Sequence, residues 1–363
     1  MPASLYQPLY FIIVGLLCLA VSFRYSSSPD FRLQTSVSQP LFPYILCLAF
    51  IFWLGFRPIS GTYFGDTANY ALEYMGFQSD ESEINWSGEW AWSVLMVGCR
   101  SAGLPVQVFF TIIEAGYFLF AFAAVRKFLP TNPLIGLLFL LSSLMFYNFG
   151  INGIRNGLAC SIIFLAIAYF LENKYLPAAI LAILAIGVHK SMLLPIFAVI
   201  LGRYVIKDYR YAVYCWIACI FISLIAGNFF INFFSSLGYD ERLANYSTNE
   251  YDDSFSSTGF RWDFLIYSVP PIVFAWKLLV DMKIKDDWYR ILSIAYCLAN
   301  AFWVLIIRIA FTNRFAYLSW FLYPILIAYP IMNLPIWKDQ DKKIGLTLAI
   351  YSGFTLFMQL IVW

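Results

Sequence analysis

Residues 175–202 read YLPAAILAILAIGVHKSMLLPIFAVILG, and whether this stretch crosses a membrane once or twice decides the fold. It is either one long helix or two short ones meeting at His189-Lys190. Lys and Arg stay preferentially on the cytoplasmic side of a bilayer, so the charges on either side settle the count. A single pass puts Arg203, Lys207 and Arg210 outside. Two passes leave only eight of the 23 basic residues outside or in the membrane: Arg57, Arg100, Arg155, Lys190, Arg242, Arg261, Arg308 and Arg314. The remaining fifteen are then cytoplasmic. Two passes are therefore expected, with 89–103 lying in the interface because Arg100 interrupts it.

The rest of the chain follows the same pattern. A bilayer core takes about 20 apolar residues per helix. Runs of that kind lie near 5–23, 40–56, 104–125, 133–149, 154–171, 175–188, 190–202, 211–234, 262–280, 289–307, 314–332 and 344–362. Of 363 residues, 61% are hydrophobic, 20% aromatic and 12% charged, and mean hydropathy is +0.73. Soluble domains carry about twice that share of charge, which excludes a soluble globule, a disordered chain and a fibre. The expected fold is an all-α polytopic integral membrane protein of about twelve transmembrane helices. A single domain spans 1–363, both termini lie outside, and two longer loops, about 57–103 and 235–261, face outward. Residues 1–8 contain no Lys or Arg, so the first run reads as a retained span rather than a secretory signal.

Several functions are excluded or disfavoured. The net charge of +2 and the scattered basic residues argue against nucleic-acid binding. No Walker or Rossmann fingerprint is present, so no nucleotide cofactor is expected. The seven cysteines sit almost entirely in apolar runs without a C-x-x-C pair. They read as small buried hydrophobes, not as a disulfide framework or metal site.

Polar groups at membrane depth need a partner or a function. Four outer positions stand out. Arg155 starts a span in Asn152-Gly153-Ile154-Arg155-Asn156-Gly157. His189, the single histidine, lies between two short apolar runs beside Lys190. Arg308 and Arg314 bracket Ile309 to Asn313. Asp66 lies in Gly65-Asp66-Thr67-Ala68-Asn69-Tyr70, and Glu73, seven residues later, shares its face if the loop is helical. Three arginines on the face that usually lacks them predict a shared anionic site. Guanidinium suits phosphate because it donates two parallel hydrogen bonds and stays charged. Each arginine taken singly also has a plain reading, snorkelling to headgroups. His189 reads as a base, a proton relay or a ligand contact. Glu114 falls in mid-span, where Arg155 or Arg100 is its expected partner. The outer aromatics, Trp86, Trp90, Trp92, Tyr239, Tyr246 and Trp262, read first as an interfacial belt.

Taken in order, these segments resemble the EpsG family. Gly65-Asp66-Thr67-Ala68-Asn69-Tyr70 is similar to its G-x-D-x-x-x-Y stretch. Arg155-Asn156-Gly157-Leu158-Ala159 is similar to R-Q-x-L-A, with Asn156 in place of glutamine. His189-Lys190-Ser191 is similar to H-x-S, with Lys190 an added charge. Arg314 with Phe315 and Tyr317 resembles a late basic-aromatic stretch. The resemblance implies a Wzy-type bacterial polysaccharide polymerase of the inner membrane, a glycosyltransferase of O-antigen, capsule or exopolysaccharide assembly. Its implied substrate is an oligosaccharide repeat unit on undecaprenyl pyrophosphate, its site faces the periplasm, and a chain-length regulator is an implied partner. On that reading Arg155, Arg308 and Arg314 clamp pyrophosphate, with Lys190 and Glu73 as further substrate contacts. His189 or Asp66 takes the acceptor proton, and no metal or cofactor is needed. A lipid-linked oligosaccharide flippase or other transporter, a membrane acyltransferase and an O-antigen ligase are the alternatives.

Overall fold

The structure, a computed structural model, describes residues 1–27, 41–76, 84–236 and 259–362. Among these, the regular secondary structure is helical. The acidic residues expected in the outer loops at 80–83 and 240–253, together with Arg32, Arg242, Tyr239 and Tyr246, lie outside the described residues.

The helices are α1 (Tyr6–Ser27), α2 (Phe42–Gly55), α3 (Gly61–Phe64), α4 (Thr67–Met75), α5 (Trp90–Ser101), α6 (Val106–Phe128), α7 (Pro133–Leu141), α8 (Phe146–Ile151), α9 (Ile154–Leu171), α10 (Tyr175–Val188), α11 (Leu193–Tyr204), α12 (Tyr209–Ser236), α13 (Trp262–Trp276), α14 (Asp287–Leu305), α15 (Asn313–Trp320), α16 (Tyr323–Asn333) and α17 (Gln340–Phe357). Eight helical stretches among the described residues are long and apolar enough to cross a membrane, and α2 and α10 are shorter apolar helices. A chain surrounded by lipid must satisfy its backbone internally, which is why each apolar run folds as helix.

Two of the ambiguous stretches resolve. The 89–103 stretch forms only the 12-residue α5, about 18 Å long and too short to span. Residues 175–202 break at His189, whose extended backbone (φ −153°, ψ 120°) ends α10. The run at 133–149 differs from expectation. It breaks after Leu141 at the polar turn Ser142-Ser143 and resumes as α8, which ends just before Asn152.

The chain forms two compact units, 1–190 with 328–363, and 191–327. In the first, α9 is the most enclosed of the crossing helices and packs against α6 and α10. Small residues let backbones approach within membranes. A Cβ on Gly116 would sit 2.7 Å from Leu158, and one on Gly157 would strike the Phe149 carbonyl. Gly157→Ala is therefore expected to push α8 off α9 and to lower stability by about 1–3 kcal/mol. Thermal unfolding in detergent measures this. Polar ties fix the remaining helices: Tyr10 donates to the Leu141 carbonyl (2.8 Å), and Thr355 to that of Ser142 (2.5 Å).

In the second unit, α14 packs against α11, α12, α13 and α15. Its Asn300 is fully buried and its hydrogen bonds are met from three helices. It accepts from Trp216 Nε1 (2.7 Å) and donates to Ser268 (3.2 Å) and Ser319 (2.9 Å). Five of the seven cysteines are buried and all are free, as expected of small hydrophobes; Cys215 is exposed on α12 and Cys219 partly so.

Candidate functional site

The site in the first unit is built on an ion pair that the sequence assigned differently. Glu114, in the middle of α6, is paired with Arg57 (2.9 Å), not with Arg155 or Arg100, and both side chains are buried. Arg57 follows α2, and α2 packs along α6, so the guanidinium enters beside Glu114. From there Arg57 donates to the carbonyls of Leu54 (2.8 Å) and Ile151 (3.3 Å) and to the Thr67 hydroxyl (3.3 Å). Thr67 in turn donates to the Ile151 carbonyl (2.5 Å). Arg57 also lies 4.8 Å from the Phe110 ring centre. One guanidinium thus joins the end of α2, the start of α4 and the turn before α9.

Next along the chain, Gly65 and Asp66 are fastened to the same turn. The Asp66 N–H donates to Asn152 Oδ1 (2.8 Å). Gly65 has φ +51°, and a Cβ there would lie 2.5 Å from Asn152 Oδ1, so only glycine fits both the backbone and the approach. Gly65→Ala is expected to displace the Asp66 turn and to lower the thermal unfolding midpoint in detergent, whereas Asn69→Ala, exposed on the same helix, is expected to leave it near normal. Asp66 stands at the N-cap of α4, yet its carboxylate makes no capping hydrogen bond. Residues 67–75 are helical, which is the condition for Asp66 and Glu73 to share a face.

Arg155, in the first turn of α9, meets three groups. It donates from Nη1 to Glu89 Oε2 (3.1 Å) and from Nε to the Tyr70 hydroxyl (3.4 Å), and it lies 5.6 Å from the Trp92 ring centre. Glu73 adds its negative field. The other oxygen of Glu89 lies 3.5 Å from His189 Nδ1. His189 is 5% exposed, and the Glu89 and Arg155 side chains about one-fifth exposed. The packing that produces this is local. Glu89 is the N-cap of α5, and the indole of Trp90 occupies the space where a Gly187 side chain would be, so α5 seats its carboxylate against the end of α10. Lys190 follows His189 and is exposed.

Glu89 was not singled out in the sequence, although it precedes Trp90 and Trp92, which were. Its signal was a lone carboxylate opening a short apolar helix. A carboxylate 3.5 Å from Nδ1 favours the tautomer with the proton there, in which Nε2 can act as a proton acceptor. Arg155 offers Nη2 to an anion. The constellation therefore combines a proton acceptor and an anion-binding cation through one shared carboxylate.

Arg308 and Arg314 belong to the second unit, Arg308 in the turn between α14 and α15 and Arg314 at the start of α15. Helix α12 breaks at Ala226 (φ −130°, ψ 25°), and Arg308 Nη2 lies 3.5 Å from the carbonyl of Leu224 just before the break. Ser223 beside it is fully buried, and its hydroxyl has no hydrogen-bond partner. Arg314 stands over the Phe311 ring (4.9 Å), and Phe311 adopts φ +53°. That backbone is strained for a bulky residue. Asp66, Glu73, Arg155, His189 and Lys190 are thus placed in one unit, and Arg308 and Arg314 in the other. Among the described residues, no group of three or more His, Cys, Asp or Glu side chains is arranged to hold a metal ion.

A family model described as the EpsG family matches residues 41–363. No curated protein and no solved structure matches the chain.

Proposed function

The chain belongs to the EpsG family of Wzy-like membrane polysaccharide polymerases, and on that premise we propose that it joins oligosaccharide repeat units carried on undecaprenyl pyrophosphate at the outer face of a bacterial inner membrane. The observation that carries the reading is Glu89 holding Arg155 at one oxygen and His189 at the other. In the reaction, a hydroxyl of the incoming lipid-linked repeat attacks the anomeric carbon of the growing glycan. The bond from that carbon to the pyrophosphate oxygen breaks, and its electron pair stays on the pyrophosphate. His189 Nε2 takes the hydroxyl proton. Arg155 meets the charge that develops on the leaving group, with Lys190 beside it and Glu73 orienting the guanidinium. The donor is already activated, so no nucleotide enters.

Asp66 supplies a second carboxylate at the site, placed through its own N–H, as an acceptor for sugar hydroxyls. Two lipid-linked substrates take part, and each carries a pyrophosphate. Arg308 and Arg314 are further phosphate ligands on this reading. A chain-length regulator remains the implied partner.

Arg155 carries the first test. Arg155→Ala is expected to shorten or abolish the ladder of polymer lengths, with a loss of about 10²-fold in elongation, the scale of removing one oriented donor. Arg155→Lys keeps the charge and loses the planar fork, so substantial loss there identifies bidentate phosphate binding. Arg314→Ala probes the second unit in the same way. A normal ladder in Arg155→Ala and in Arg314→Ala, at equal protein level, overturns the phosphate role. Polymer made by purified protein from lipid-linked repeat without nucleotide sugar separates polymerase from flippase and acyltransferase. Loss of a ligase instead strands long polymer on the carrier lipid.

A further inference from the structure

At the end of the second unit opposite Arg308 and Arg314 lies a cavity of about 840 Å³, between the loop joining α11 to α12 and the loop joining α13 to α14. Helix α14 separates the two ends by its 19 residues, about 28 Å, the thickness of a hydrocarbon core. The cavity therefore lies at the end of α14 away from Arg308 and Arg314.

Its charges are unevenly committed. Asp208 is held by Arg210 (2.5 Å), and Asp287 by Arg290 (3.1 Å). Arg290 is further spent on the carbonyls of Gly202 (3.1 Å) and Ile206 (3.2 Å). Asp286 caps α14 by accepting from the Tyr289 N–H (2.7 Å). Lys207 donates to the Arg203 carbonyl. All three carboxylates thus have partners within the protein. Lys283 and Lys285 line the same cavity and enter no ion pair among the described residues. A bias of lysines toward one membrane surface needs no ligand, but it places charge on convex loops as readily as in a cavity.

Lys283 closes the helical turn Lys277–Asp281 in a left-handed conformation (φ +54°), with the Ile284 N–H on the Leu278 carbonyl (2.9 Å). Glycine is the common residue at such a helix end, so a lysine there costs some backbone strain and sets an uncommitted ammonium at the cavity. We infer that this cavity binds a phosphate-bearing anion, the headgroup of an acidic membrane lipid, through Lys283 and Lys285. Basic pockets between transmembrane helices hold such headgroups. The site is separate from the polymerisation chemistry and stands whether or not that reading holds.

The test uses the full chain, purified and delipidated in detergent. Thermal unfolding and native mass spectrometry are run with phosphatidylglycerol, with phosphatidylcholine and with inorganic phosphate. Phosphatidylglycerol is expected to raise the unfolding midpoint and to remain bound, and phosphatidylcholine is not. Each lysine is worth about fivefold in affinity near a membrane surface, so Lys283→Gln with Lys285→Gln is expected to weaken binding by ten- to thirtyfold. Lys283→Gly gives opposite signs: a higher midpoint without lipid, because the strain is gone, and weaker lipid binding. Inorganic phosphate that reproduces the stabilisation, and loses it in the double variant, identifies a free anion as the source and keeps the site. Equal effects of the two lipids, or an acidic-lipid preference unchanged in the double variant, overturn the proposal. Polymer length in cells reads Glu89, Arg155 and His189, which belong to the first unit, so failure here leaves the polymerase reading untouched.

Discussion

Glu89→Gln is expected to abolish most polymer elongation, by 10²-fold or more, while single repeat units still reach their acceptor. General-base assistance contributes about 10²–10⁴-fold. Glu89 bears on that assistance twice, through His189 Nδ1 at 3.5 Å and through Arg155 at 3.1 Å. Glutamine keeps the shape and removes the charge. The imidazolium then loses its counter-ion, and the amide no longer holds both cations. His189→Ala is expected to cost a similar factor. If the two act as one unit, the double variant loses little more than either single, because the second substitution removes a group already idle. Ladder length on a polysaccharide gel, at matched protein level, reads all three. A full ladder in Glu89→Gln removes the dyad from the mechanism. Additive losses place Glu89 and His189 in separate roles.

Breaking the pair of Arg57 and Glu114 is the second large effect, and it falls on folding. Both groups are wholly buried, and the second oxygen of Glu114 already has no hydrogen-bond partner. Arg57→Met leaves a charge or a forced proton in an apolar site, and Glu114→Leu strands the guanidinium. Each single change is expected to lower stability by about 3–5 kcal/mol. Replacing both at once removes the desolvation penalty together with the attraction, so Arg57→Met with Glu114→Leu is expected to recover most of the lost stability. Thermal unfolding in detergent measures the three proteins. Polymer yield is expected to stay low in the stable double variant. Arg57 also holds Thr67 and the Ile151 carbonyl, and methionine replaces neither hydrogen bond. Singles no less stable than the parent show that the pair has no structural weight. A double variant with full yield shows that Thr67 and Asn152 hold the Asp66 turn unaided.

Much of the site was legible along the chain, because each element has a local signature. Arg155 opens an otherwise apolar helix, His189 ends one, and Gly65 announces a turn that a side chain would block. Partners were less legible. Glu114 was read against Arg155 or Arg100 because those arginines stand out in the sequence, whereas Arg57, at the foot of α2, reaches it. The run at 133–149 looked continuous because apolar residues fill it on both sides of the break. The polar turn inside it shows its purpose only when α8 folds back and presents the Ile151 carbonyl and Asn152.

Composition and hydropathy were sufficient for the environment and the helical class. With 61% hydrophobic residues the chain belongs in lipid, and in lipid each backbone group must find its partner within its own segment. Helix content follows from that constraint without any knowledge of packing. Which charged groups meet is a different kind of quantity. Arg57 and Glu114 are 57 residues apart, and Arg155 and Glu89 are 66 apart. Whether they touch depends on which helix faces come together, and so on side-chain volumes at Gly157 and Gly187, which set how closely the helices carrying the charges approach. Only the assembled helices decide that, since a buried charge is tolerated wherever packing happens to bring its counter-ion.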